Sequence, residues 1–143
     1  PLARAASGGE LARAMLALRL VLTEAPPTLV FDEVDAGVGG EAGTAVGRLL
    51  ADLGARHQVL CVTHLAQVAA HADAQIVVEK HVQDETGRES GRTVASVMPV
   101  EGDLRLAELS RMLAGVVESS HARSHAAELL QRAAARRGAE AAR

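Results

Sequence analysis

The chain has 143 residues, the length of one domain, and a formal net charge of −3, which argues against a broad nucleic-acid footprint. Hydrophobic residues make up 48%, but with one Phe and no Tyr or Trp the core must pack from aliphatic side chains, and stacking platforms for single-stranded bases are disfavoured. No apolar run approaches the ~20 residues of a membrane span, and the lone Cys61 cannot form an internal disulfide, which points to the cytosol.

The chain opens Pro1-Leu2-Ala3-Arg4 and meets a motif at once, which reads as a segment of a longer protein. Ser7-Gly8-Gly9-Glu10 can start a helix: Ser7 caps it and Glu10 completes a capping box. That leaves unexplained two glycines in a first turn, each costing about 1 kcal/mol against Ala. Glycines there admit a ligand close to the backbone, and the bare N–H groups of a helix start favour an anion. Both readings, cap and phosphate contact, stay open on these four residues alone. The helix is expected over 8–23, with Leu11, Met15, Leu18 and Leu22 on one face and Pro26-Pro27 as its end.

A short apolar strand over 28–31 runs into Asp32-Glu33. Two solvated carboxylates opening a loop are the commoner case. The functional alternative is a pair with divided labour, Asp32 supporting Mg²⁺ and Glu33 orienting an attacking water. Adjacent strand residues point to opposite faces, which would give the two acids different jobs. A Gly-rich stretch, Gly37-Val38-Gly39-Gly40, precedes a helix over about 41–53, with Val46, Leu49, Leu50 and Leu53 inward and Gly54 as its stop.

A second apolar strand over 58–62 ends at Thr63-His64. If the two strands are neighbours, His64 lies beside Asp32-Glu33, where a donor can hold a phosphate oxygen. A short helix over 65–71 and a strand over 75–80 follow. Residues 82–91 are a polar hairpin loop, and 92–98 return as a strand. Two helices close the chain, over 103–114 (stopped by Gly115) and 120–136, with 137–143 as a frayed tail. His121, His125 and Glu128 share a helix face at metal-ligand spacing, but no further ligand cluster accompanies them. Arg132, Arg136, Arg137 and Arg143, interspersed with alanines and Glu140, read as a solvated face. Continuously apolar strands separated by helices predict a parallel sheet covered on both faces, with ligands at the carboxyl ends of its strands.

Taken together and in this order, Ser7-Gly8-Gly9-Glu10, the strand ending in Asp32-Glu33, and His64 resemble the signature motif, Walker B strand and switch histidine of an ABC-type ATPase head. Transporter-type heads, the first alternative, continue Asp-Glu-Pro. This chain continues Asp32-Glu33-Val34-Asp35-Ala36-Gly37, which resembles the SMC-related branch and, within it, its bacterial DNA-repair members. The match is close over about residues 2–80 and looser beyond. A non-catalytic scaffold with a degenerate NTPase fold is the second alternative, and intact Asp32, Glu33 and His64 speak against it.

The resemblance implies an α/β fold: the C-terminal lobe of an ABC/SMC-type P-loop NTPase head, a mostly parallel sheet flanked by helices, with a β-hairpin and C-terminal helices. It implies ATP and Mg²⁺ as cofactors, a homodimer that sandwiches ATP, DNA as a partner in double-strand break repair, and a bacterial, cytoplasmic, nucleoid-associated setting. Residue by residue, Glu33 and His64 would be catalytic and Asp32 would support Mg²⁺ through water. Ser7, Gly8, Gly9 and Glu10 would meet the ATP of the opposite protomer, and Asp35, Gly37 and Gly39 would form the loop across the interface, although many such heads carry Asp where this chain has Gly39. No G-x-x-x-x-G-K-[ST] loop occurs in the 143 residues. The phosphate grip is therefore expected in an N-terminal half of the same head, and this segment alone is expected to be inactive.

Overall fold

Short apolar segments set the first layer. Thr28–Phe31 form strand β1 and Gln58–Cys61 form strand β2. The structure is a computed structural model and describes residues 13, 14, 16, 17, 26–83, 92–115 and 119–141. Ser7, Gly8, Gly9 and Glu10, most of the expected first helix, and the hairpin tip lie outside the described residues. β1 and β2 pair in parallel, Thr28 opposite Gln58 and Phe31 opposite Cys61. Helix α1, Gly40–Gly54, is the crossover that a parallel pair needs.

One face of this pair is covered. Leu29 and Phe31 pack with Val46, Leu50 and Leu53 of α1, with Leu16, Val34 and Val68, and with Val59 and Cys61 at the margin. Val30, Leu60 and Val62 point the other way and are exposed, Val30 by 68%. The expectation of cover on both faces is thus met on one face among the described residues. A wholly apolar run carries no alternation, so it cannot report which of its faces this chain covers itself.

Within α1, Val46, Leu50 and Leu53 face inward as expected, but Leu49 is largely outward, and Gly43 and Gly47 occupy the packed face. Helix α2, Ala66–Ala69, lies against them. A Cβ added at Gly47 would meet His71 Cδ2 at 2.7 Å and the Gln67 carbonyl oxygen at 2.9 Å. Gly54 does not stop α1. It lies inside the helix, and Ala55 closes the last turn in right-handed geometry.

β3, Gln75–Gln83, and β4, Arg92–Val100, form the antiparallel hairpin, Gln75 opposite Val100 and Gln83 opposite Arg92. Among the described residues the sheets are therefore one parallel pair and one antiparallel pair, the latter being the expected hairpin. Val77 and Val100 are buried, whereas Ile76, Val78 and Val97 are exposed on the opposite hairpin face. Helix α3 is Gly102–Ala114, and Gly115 ends it in the left-handed conformation with its N–H on the Arg111 carbonyl at 2.7 Å. Helix α4, Ser120–Ala141, runs five residues past the expected end at 136. No helix among the described residues is long and apolar enough to cross a membrane.

A second core joins α2 to the C-terminal helices: Ala66, Ala69 and Ala70 pack with Leu109, Ala126 and Leu129. Arginines from both helices cap the end of α2. Arg105 donates to the carbonyls of Ala69 (3.1 Å) and Ala72 (2.7 Å), and Arg137 to that of Ala72 at 3.3 Å. Those carbonyls lie at the negative end of the helix, where that of Ala69 also accepts the Ala72 N–H at 3.1 Å. Arg136 reaches Asp52 at 2.5 Å and ties α4 to α1.

Close approach at Gly47 yields a test. Gly47→Ala is expected to destabilise the fold by about 1–3 kcal/mol through overpacking. Gly138→Ala, where an added Cβ meets nothing within 4 Å, is expected to be neutral or to stabilise by up to about 1 kcal/mol. Urea midpoints of the two variants check the contrast.

Candidate functional site

β1 and β2 end side by side. The Val62 N–H donates to the Phe31 carbonyl at 2.9 Å, so Asp32-Glu33 and Thr63-His64 leave from adjacent carboxyl ends of parallel strands. This is the edge at which open α/β sheets hold ligands. The structure brings Asp32, Glu33, Asp35 and His64 to this edge, as the sequence suggests for the first two and the last.

The two acids are separated by a different device from strand alternation. The strand stops at Phe31, and Glu33 takes a left-handed backbone with φ 57°. Its N–H donates to Asp32 Oδ1 at 2.9 Å. A side-chain-bearing residue in such a region costs of order 1–3 kcal/mol and persists only where its surroundings impose it. The surroundings here are visible. Val34 is fully buried in the first core, the Ala36 N–H returns to the Glu33 carbonyl at 3.0 Å, and Gly37 turns the chain again at φ 72°. Asp32 and Glu33 both remain exposed.

Asp35 faces inward rather than outward with the rest of its loop. Its side chain is 3% exposed, while that of His64 is 73% exposed. Oδ2 of Asp35 accepts the Thr63 hydroxyl and the His64 backbone N–H (3.1 Å), and lies 3.2 Å from His64 Nδ1. Thr63 Oγ1 in turn accepts the Leu65 N–H at 3.0 Å. A buried carboxylate needs such partners, since an unpaired one is costly. Its burial sets Asp35 apart from Gly37 and Gly39, which remain exposed in the loop. No local pattern in the sequence marks this inward turn, because the partners of Asp35 are 28 and 29 residues away.

Arg13 is a further residue that sequence reasoning misses. Its guanidinium donates to the Ala36 carbonyl at 2.7 Å, tying its own segment to the loop that follows the two acids. A bond to a main-chain carbonyl leaves no trace in residue types.

Other titratable groups have structural explanations. Burial, then the nearby Asp35 and Asp32 charges, push the Cys61 thiol up to about 11, so the lone cysteine is inert at neutral pH. Burial, then Arg48, Arg136 and Arg137, hold His71 below the usual imidazole range. His121, His125 and Glu128 are exposed, and no group of three or more His, Cys, Asp or Glu that could hold a metal ion occurs among the described residues. A cation at the strand ends would therefore rely on Asp32 and on oxygens from water and phosphate, which is the chemistry Mg²⁺ prefers.

No family model matches the chain. It is 53% identical to the DNA repair protein RecN of Streptomyces coelicolor over 139 residues, 96% of this chain and 23% of that protein. RecN of Mycobacterium leprae is 54% identical over 135 residues (93% of this chain, 22% of the relative) and RecN of Deinococcus radiodurans 52% over 130 (91% and 22%). The chain thus spans about a quarter of the length of these relatives. A solved structure described as "Structural biochemistry of ATP-driven dimerization and DNA stimulated activation of SMC ATPases" superposes with a TM-score of 0.52 at 21% identity, covering 77% of this chain and 63% of that one. Along nearly its whole length the chain is similar in sequence to a stretch of RecN, and over 77% of its length it shares the fold of that SMC ATPase structure.

Proposed function

We propose that this chain supplies the catalytic-strand lobe of an ATP-hydrolysing head that works in bacterial DNA double-strand break repair, in the cytoplasm. The observation that carries the reading is the meeting of Asp32-Glu33 with His64 at two paired strand ends, with Glu33 held in a backbone state that nothing but its surroundings favours. The names of its relatives and of the structural neighbour support it.

In this reading Glu33 accepts a hydrogen bond from the attacking water and aligns it with the γ-phosphate. His64 contacts a γ-phosphate oxygen from the neighbouring strand end. Asp32 would support Mg²⁺, which would neutralise phosphate charge when bound. Ser7, Gly8, Gly9 and Glu10, with Gly37 and Gly39, meet the nucleotide of the opposite protomer, and two heads close around ATP. The P-loop comes from the N-terminal half of the same head, which also covers the open face of Val30, Leu60 and Val62. DNA is the substrate on which the assembled protein acts.

Two measurements test this. The chain alone is expected to show no ATP turnover above buffer. Turnover by the isolated chain that Glu33→Gln abolishes would sink the idea of a half-site. In a longer form carrying the P-loop, Glu33→Gln is expected to lower kcat by about 10²–10⁴-fold while ATP-dependent dimers persist. A longer form that neither hydrolyses ATP nor dimerises with it points instead to a scaffold.

A further inference from the structure

We infer that Asp35 is a positioning residue for His64, fixing which ring nitrogen faces the reaction and holding the ring in place. The inference rests on the proposed role of His64 and adds a component that the motif comparison places elsewhere, in the loop toward a partner.

Two donors and a ring nitrogen converge on one oxygen. Oδ2 of Asp35 receives the Thr63 hydroxyl, the His64 backbone N–H at 3.1 Å, and the approach of His64 Nδ1 at 3.2 Å. One carboxylate therefore holds the main chain of His64 and stands beside its ring, which restricts the imidazole although 73% of its side chain is exposed. An exposed histidine without such a partner samples several rotamers.

The contact also fixes the proton. Two lone pairs repel at 3.2 Å, so the contact favours the tautomer with its hydrogen on Nδ1. Nε2 is then the nitrogen presented to solvent. In the neutral ring Nε2 bears a lone pair. Donation to a phosphate oxygen requires a hydrogen there as well.

Anchorage of Asp35 is correspondingly firm. It lies between fully buried Val34 and the Ala36 carbonyl that Arg13 holds, with the Asp35 carbonyl itself accepting the Val38 N–H at 3.2 Å. On the far side, Thr63 passes the restraint to Leu65 at the start of α2. A purely structural tie between two loops would have needed only Thr63 and the His64 backbone. The approach of the exposed ring itself is what points to a role in the chemistry.

Imidazole ¹⁵N chemical shifts of His64 in the unsubstituted protein give the first test. The Nδ1–H tautomer is expected in the neutral ring, moving to mostly Nε2–H in Asp35→Asn. Mainly Nε2–H in the unsubstituted protein would overturn the inference without reliance on any variant. The second test is a double-mutant cycle in an ATP-hydrolysing form that includes this chain. Asp35→Asn is expected to lower kcat by about 10- to 100-fold with little change in KM, and to add nothing further in a His64→Ala background. An equal loss in both backgrounds would show that Asp35 acts independently of His64, and the proposal fails. If the tautomer shifts as expected but His64→Ala leaves turnover intact, the positioning stands and the functional reading of His64 falls.

Discussion

Five residues, Ala66 to Ala70, hold the described parts of the chain together. Val68 enters the core built on β1, β2 and α1, while Ala66, Ala69 and Ala70 enter the core built with α3 and α4. A helix of one turn can serve two cores only if both neighbours come close, and this is where small residues are needed. Gly43 and Gly47 let α1 approach from one side, and the alanines let Leu109, Ala126 and Leu129 approach from the other. So short a helix has no stability of its own. Its order comes from packing, and from Arg105 and Arg137 on its carbonyl end. Because it begins two residues after His64, the same packing that joins the two cores fixes where the main chain of His64 sits.

The site inherits its geometry from that arrangement. Two turns leave the ends of neighbouring strands, each pinned by a buried group: Val34 in the core under Glu33, and the Asp35 carboxylate under His64. Exposed reactive groups on buried anchors are a general solution for loops that must be both accessible and still. The left-handed turn at Glu33 is a local cost that the burial of Val34 offsets.

Much of the fold is legible in the sequence where a local rule governs. Strand β1 ends at Phe31 because two acids follow an apolar run, and α3 ends at Gly115 because a left-handed turn suits glycine. The motif spacing locates Asp32, Glu33 and His64, since parallel strands one crossover apart bring their ends together. What fails is whatever depends on distant partners. Leu49 looks inward by periodicity, but the packed stripe of α1 is set by where α2 lies, so Gly47 takes its place. Asp35 looks like a loop residue until Thr63 and His64 arrive from 28 residues away. Arg13, Arg105 and Arg137 bind carbonyl oxygens, which every residue has and no residue type announces. For α4, the Ala- and Arg-rich end resembles a tail, yet contacts from Arg136 and Arg137 secure the helix on α1 and on the end of α2.

The open sheet faces carry a consequence of another kind. Val30, Leu60 and Val62 on one pair of strands, and Ile76, Val78 and Val97 on the other, present bare aliphatic surface to water. Contiguous surface of this sort associates with its like, and it does so more as concentration rises. Colloidal behaviour, rather than melting temperature, is therefore what governs the handling of this chain by itself. Dilute solution, or a covering segment supplied during synthesis, keeps it dispersed, and crowding without such a cover drives it into aggregates.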